Sequence, residues 1–480
     1  MIAKFLKKSI SVLLGCCFVL SVCGGCNEGG EEMEKPEVDY KWTAEKTLSS
    51  EKTLPAGESV SVEVGLDIGN ANYVGLDVET DVNLVGKFYF SDPSGEEDGF
   101  AEDFFIPSSQ QGSFRQIIDF YFANTYEKNL DKIELRNVGE SAGKVVVKAC
   151  YGGTKEWFDN SQVYLESGDI RLGIDLNAGG AINYLEYLNH RVQQVQTENG
   201  NVEVGINYAS VLGGELMYDS VNLINEMDRG RLVQQSYYGI SGEPYESAVY
   251  NGTPWPYNPV QGGDFSGTSS QIVDFTIGKD SIYVKTRALD WAKRESVTPS
   301  YMENRYTLEN NIVKVENSFT DWSGYTHNIY RDQELPAFYG VISLGTLVTY
   351  RGSDPFQNED LSYYPSLGNW VGTNRAYWTD ITENWVAWVN DDDFGVGLYT
   401  PNTSTILTGK VGTKNYSSQI SKADATTYTT MIAQMRLSTY ETFSYDYYLT
   451  VGQVDKIRQS FNELAETCVN QDIIDWSARK

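Results

Sequence analysis

Period-two alternation of apolar and polar residues, broken by Gly, Asn, Asp and Pro, runs through most of this chain, and helical periodicity is scarce. Ser59-Val60-Ser61-Val62-Glu63-Val64 alternates cleanly, Lys144–Lys148 supplies another short strand, and Asn72–Thr80 and Val85–Ser91 are further candidates, punctuated by turn sequences such as Asp92-Pro93-Ser94-Gly95. Alternation of this kind buries one face of a strand and wets the other. Several such strands at turn-punctuated spacing predict a β-sandwich over residues 51–150. From 151 to 480 the strand signals continue at Ile282–Arg287, Ile312–Glu316, Trp385–Val389, Gly395–Tyr399 and Phe443–Val451. That length is too great for one ordinary sandwich and predicts a large two-sheet sandwich with long loops. The exception is Val454–Thr467, where Ile457, Phe461 and Leu464 recur at i, i+4 and i+7. This spacing predicts a short C-terminal helix packed on the sheets, and the fold class expected is all-β.

The N-terminus speaks to location. Lys4, Lys7 and Lys8 precede an apolar run from Ile10 to Val22 that closes on Gly24-Gly25-Cys26. The run is short of the ~20 residues that a spanning helix needs. It has the length of a cleaved export signal, residues 1–25, and its ending resembles a bacterial lipobox with Cys26 as the acylated residue. Cys23 is the rival acylation site, and a plain secretory peptide is the alternative. Residues 26–50 are polar, Glu-rich and Gly-containing, and read as a flexible stalk. The expected location is the extracytoplasmic face of a membrane, with the lipid as the only membrane contact. The chain carries 66 acidic against 37 basic residues, a net charge of −29, which argues against nucleic acid and against docking on anionic lipid. Beyond the leader and the lipobox Cys26 only Cys150 and Cys468 remain, with His190 and His327 the only histidines. A multi-His metal centre is thereby excluded and no cofactor is expected, while an all-oxygen Ca2+ site stays open.

Four stretches between strands mix rings, amides and charges. In the first, Asn225–Tyr238, a strand would set Arg231, Val233, Gln235 and Tyr237 on one face, an Arg–Gln–Tyr row suited to a wet cleft, with Arg229 beside it. In the second, Asn251–Asp264, three prolines and three glycines argue against a regular element and would hold Trp255 and Tyr257 as a stacking platform near Gln261 and Asp264. The third, Thr326–Ala337, places His327, Arg331 and Gln333 on one face and Glu334 on the other, just before Pro336. The fourth reads as a β-hairpin, Trp385–Val389 and Phe394–Tyr399, around Asp391-Asp392-Asp393. A chain with 33 Tyr and 10 Trp has rings to spare for sugar C–H faces, although Tyr also suits strands in general.

There is no GxSxG and no phosphate loop. Asp264 with Glu334 is a candidate acid/base pair for glycoside hydrolysis. A lyase would instead use Tyr237, Tyr330 or His327 as base, with Arg231 or Arg331 neutralising a uronate. A pure binder needs only the rings and amides.

The segments GRLVQQSYY, YNPVQGGD, RDQELPA, ENWVAWV with FGVGLY, and YDYYLTVG resemble bacterial secreted proteins of the galactose-mutarotase-like supersandwich class, and Asn177–Ile182 followed by Tyr184-Leu185 is similar to its early strands. The likeness covers about residues 165–455. The preceding sandwich is similar to carbohydrate-module-like jelly rolls. The class includes mutarotases, glycoside hydrolases, polysaccharide lyases and binders, so the resemblance implies a saccharide without a reaction. Mutarotases proper use a His and Glu pair, for which only His327 near Glu334 is present. The expectation is an extracytoplasmic lipoprotein that binds, and could cleave, a poly- or oligosaccharide. Catalytic candidates are Asp264, Glu334 and His327; substrate-binding candidates are Arg229, Arg231, Gln235, Tyr237, Trp255, Tyr257, Gln261 and Arg331. The alternative is a non-catalytic glycan-binding or structural surface lipoprotein.

Overall fold

The computed structural model describes residues 40–94, 99–108, 111–118, 127–155, 161–188, 193–197, 200–204, 222–367, 377–401, 403–412 and 420–468. The expected export signal, Cys26 and His190 lie outside them. Residues 40–50, read above as stalk, belong instead to the strand Tyr40–Leu54, which pairs antiparallel with Gly143–Lys155. Its Lys and Glu residues disguise two anchors: the rings of Tyr40 and Trp42 lie 5.6 and 5.5 Å from that of Tyr73.

Two four-stranded sheets form the first sandwich. One orders Tyr40–Leu54, Gly143–Lys155, Tyr73–Thr80 and Gln111–Ile117; the other orders Ser59–Gly69, Lys128–Asn137, Leu84–Ser91 and Phe100–Ile106. The alternation seen in the sequence is what closes it. Val60, Val62 and Val64 face Leu76, Val78, Phe88 and Ile133 in one core, while the intervening residues meet solvent.

The second unit stacks a ten-stranded sheet on a nine-stranded one. The ten-stranded sheet runs Tyr377–Asp380, Thr405–Val411, Thr426–Met435, Arg331–Val341, Val233–Ser236, Ala181–Tyr187, Ile170–Asp175, Gln162–Ser167, with Pro259–Val260 and Leu289–Asp290 attached beside Val233–Ser236. The other runs Gln271–Ile277, Ser281–Arg287, Ser300–Glu309, Ile312–Asp321, Thr442–Gln453, Phe394–Tyr399, Trp385–Val389, Thr346–Thr349, Ser362–Tyr364. Ile174, Ile182, Val233, Phe338 and Met431 of the first meet Ile282, Val284, Val315, Leu398 and Leu449 of the second in a single core. The all-β class with two sandwiches is thus as expected.

The predicted helix is present at Val454–Thr467. Ile457, Phe461 and Leu464 pack on Trp385, Tyr399 and Tyr448, on the far side of the nine-stranded sheet. Gly397 makes the approach possible, since a Cβ there would lie 2.4 Å from Ile457 Cγ2. The two units meet through buried polar contacts. Lys155 Nζ lies 3.1 Å from Asp274 Oδ1 with both side chains 4% exposed, and Tyr73 donates to the same oxygen. Cys150 and Cys468 are both buried and sit in separate apolar clusters.

Candidate functional site

The two faces of the ten-stranded sheet differ in chemistry. On Thr426–Met435 the residues Met431, Ala433 and Met435 enter the core, while Tyr428 and Ile432 point outward with Leu407 and the half-buried Tyr339. Glu334 belongs to this outward face. It pairs in register with Ile432 on one side and Ser236 on the other. A bulge between Glu334 and Ala337 shifts the alternation by one, which is why Glu334 and Tyr339, five residues apart, share a face.

Glu334 is 9% exposed. Tyr428 donates to its Oε1 at 2.5 Å, and the Ser236 hydroxyl also hydrogen-bonds to it. Burial pushes its pKa above the ordinary carboxyl value, and the two hydroxyls pull it back. Burial and then the Glu334 charge hold Tyr428 and Tyr238 well above the usual phenol range. Burial and the same charge act on Tyr339, offset by Arg231. A carboxyl that keeps its proton to higher pH than usual, against phenols that do not release theirs, is the group of this face suited to give or take a proton.

An aromatic shelf adjoins it through Tyr238. The Tyr238 and Trp255 rings are 6.4 Å apart, Trp255 and Tyr250 5.2 Å, and Tyr250 in turn lies 5.5 Å from Phe265 and 5.7 Å from Trp291. Trp255 is half-buried, and its indole N–H donates to Asn258 Oδ1 at 2.9 Å, which fixes the ring. Contrary to the expectation of no regular element, a two-residue hairpin presents it. Val249–Tyr250 pairs with Thr253–Pro254 across Asn251 and Gly252, both at positive φ, the turn that Asn-Gly favours.

Of the expected cleft residues, Glu334 and Trp255 adjoin one another in this way, and Arg231 borders them. Its guanidinium contacts Asp424 Oδ1 at 3.0 Å and Asp228 Oδ2 at 3.5 Å. Val233, Gln235 and Tyr237 share a face as expected, but it looks into the interior rather than onto a wet cleft, and Arg231 lies before the strand Val233–Ser236. Gln235 and Tyr237 point between the sheets, where Tyr237 donates to Gln235 Oε1 at 2.8 Å and Gln235 donates to Asn304. Gln261 is likewise interior, accepting from Gln235 N and donating to Gly179 O. Tyr257 is 2% exposed and donates to Asp321, so it is no stacking surface. His327 accepts from Ile240 N through Nδ1 at 3.1 Å. Its proton therefore sits on Nε2, 3.4 Å from Asp321 Oδ2, an interior structural arrangement. Asp264 is committed to its own loop. Its Oδ1 accepts from Ser266 N, Ser266 Oγ and Thr268 N, and its Oδ2 accepts from Glu295 N. Arg229 meets Asp175 at 3.5 Å, and Arg331 reaches Gly239 O and Ser241 Oγ.

Sequence reasoning missed Ser236, Tyr238, Tyr250, Tyr339 and Tyr428. The signal for Ser236 and Tyr238 was present in the same segment, one residue out of phase with the row chosen. Tyr428 lies in TTYTTMIAQM, which carries no polar mark of a site. Among the described residues no group of three or more His, Cys, Asp or Glu side chains is placed to hold a metal ion.

No protein-family profile matches the chain, and no curated protein matches it in sequence. Among solved structures it is similar to a proposed aldose 1-epimerase from Escherichia coli K12, at 11% identity and TM-score 0.34 over 61% of this chain and 99% of that one. It is similar to a galactose mutarotase-like protein from Lactobacillus casei, at 11% identity and TM-score 0.33 over 60% and 99%. A 4-alpha-glucanotransferase from Thermococcus litoralis matches at 11% identity and TM-score 0.30 over 61% and 38%. Likenesses this slight leave function to the geometry of the sheet face.

Proposed function

We propose that this chain is an extracytoplasmic lipoprotein, anchored through Cys26, whose larger sandwich is of the galactose-mutarotase-like kind and engages a poly- or oligosaccharide on the outward face of the ten-stranded sheet. Glu334 is its acid/base residue. The observation that carries this reading is the pairing of one buried carboxyl, raised in pKa by burial, with an adjacent half-open shelf of Tyr and Trp rings. Rings offer a flat apolar face to sugar C–H groups, and a carboxyl so tuned can exchange a proton with a sugar oxygen or carbon. Tyr428, which holds its proton, is the hydrogen-bond donor that positions this carboxyl. Asp264 is set aside because its loop already uses both oxygens.

Glu334→Gln tests it. The variant should keep its affinity for a glycan found by array screening while forming no new reducing ends or unsaturated products. Full turnover in the variant would remove Glu334 from the mechanism. Wild-type binding without any product would instead assign the non-catalytic reading. For the anchor, Cys26→Ala should move the chain from the membrane fraction to the soluble one.

A further inference from the structure

The outward face of the ten-stranded sheet does not end at Glu334. Toward one edge, Trp378 pairs with Leu407, a member of the same outward cluster as Tyr428, so the indole stands on that face; it is 47% exposed. Toward the other edge, Tyr164 is 45% exposed and meets Tyr184 edge-on at 5.6 Å. Gly173 lies between them, where a Cβ would come within 2.6 Å of Tyr184 and 3.0 Å of Tyr164. Tyr164 is tied to the same face through its neighbours. Gln162, two residues before it, exchanges amide hydrogen bonds with Asn183 at 2.8 and 2.9 Å. Asn183 donates on to Glu226. Asp175, on the adjacent strand, meets Arg229, whose carbonyl accepts from Gln234 on the strand of Ser236.

Exposed rings thus mark both edge strands, and Glu334 lies on the fourth of the eight strands in order. Seven inter-strand steps of ~4.8 Å separate the edges, roughly 34 Å. Several linked pyranoses fill that length and one does not. The charges along the strip also speak to the occupant. Arg171 is matched by Glu166 and Glu186, Arg229 by Asp175, and Arg231 by Asp424 and Asp228. Each of these three arginines is committed to a carboxylate of the protein, so the strip does not call for an anionic polymer.

We propose that the ligand is an extended, uncharged oligosaccharide lying across the strands, with Trp378 and Tyr164 as terminal stacking subsites and Glu334 acting within the chain rather than at its end. This rests on the saccharide reading above and specifies its substrate class.

The test measures affinity by calorimetry on the mature chain. The probes are neutral gluco-, manno-, xylo- and galacto-oligosaccharide ladders from monomer to octamer, with an oligogalacturonate ladder as the charged counterpart. Affinity for one neutral series should climb with length. Trp378→Ala and Tyr164→Ala should each cut octamer affinity about three- to tenfold, one exposed ring stack apiece. Both rings are surface groups, and unchanged melting temperatures would show that the fold is intact. Tyr363→Ala, an equally exposed ring at the edge of the other sheet, should leave the length profile as in wild type. A flat length profile with both edge variants inert overturns the extended site while the saccharide reading stands. Preference for oligogalacturonate overturns the uncharged class. Binding to no ladder overturns the saccharide reading and this inference with it.

Discussion

Arg458 on the terminal helix holds a deeply enclosed ion pair in the larger unit. Its Nη2 lies 2.6 Å from Glu383 Oε1, with the two side chains 7% and 0% exposed, and its Nε donates to Glu383 Oε2 at 3.0 Å. Glu383 also accepts from Phe356 N at 2.7 Å and from Trp385 Nε1 at 2.8 Å. Arg458→Met keeps much of the side-chain volume and removes only the charge and its donors. Stripping one partner from a buried pair costs about 3–5 kcal/mol, because the other charge stays buried without compensation. Two neutral donors remain on Glu383, so the lower end applies, about 3 kcal/mol. Converting the stranded carboxylate as well, in Arg458→Met with Glu383→Gln, should recover about 2 kcal/mol of that. Equilibrium urea unfolding followed by tryptophan fluorescence reads both variants, since the Trp385 ring lies 6.2 Å from Phe461 of the same helix. The reasoning fails if Arg458→Met costs less than ~1 kcal/mol, or if the double variant equals the sum of the singles, the signature of uncoupled groups.

Other outcomes follow from named groups. Burial pushes Asp290 from 3.8 up to about 6, against the pull of Tyr245 and Lys293. A carboxyl raised on folding contributes stability that is full below its unfolded value and lost as pH rises through about 6. Asp290→Asn should therefore flatten the stability curve between about pH 4 and 7, by no more than about 3 kcal/mol; parallel curves for the two proteins would refute this. Tyr428→Phe deletes a donor that opposes burial at Glu334, so the Glu334 carboxyl should ionise at higher pH than in wild type, read by carbon-13 NMR of labelled Glu. A downward shift would contradict the assignment. Gly173→Leu should force the Tyr164–Tyr184 pair apart, since its first carbon already meets Tyr184 at 2.6 Å. The expected cost is about 1–3 kcal/mol, together with loss of the length-dependent gain in glycan affinity; retention of both would show that the rings yield.

The elements were legible where one face of a strand is apolar and the other wet. Ser59–Gly69 shows its alternation in the sequence and in its burial, and the helix Val454–Thr467 matches its i, i+4, i+7 stripe. The hairpin of Trp385–Val389 with Phe394–Tyr399 is present as read. Tyr40–Leu54 was not legible, because its outward positions are Lys and Glu and its inward ones pair with a strand a hundred residues away. The interior of the second unit misleads in the opposite direction. Gln235, Gln261 and His327 look like ligand-facing polar groups in the sequence. They are instead fully buried residues that satisfy one another and the backbone of the loops threaded between the sheets.

The site turns on strand parity. Between Val233 and Tyr238 a shift of one residue exchanges Gln235 and Tyr237 for Ser236 and Tyr238 at the outward face. The sequence supports either choice, since both sets are polar-aromatic. What decides is that Ser236 pairs with Glu334, and that Glu334 itself reaches the outward face only because the bulge before Ala337 offsets Arg331–Val341 by one. On a strand buried on nearly its whole length, Glu334 is the outward carboxyl that is buried and set against Tyr428, while Asp332 on the same face is half-buried and accepts from the exposed Gln434. A glutamate placed there by an irregularity, while its neighbours Leu335 and Phe338 serve the core, costs burial without adding to packing. Such an arrangement is retained for chemistry more readily than for stability, which is the physical reason to look to Glu334 before any other carboxylate in a chain that has so many.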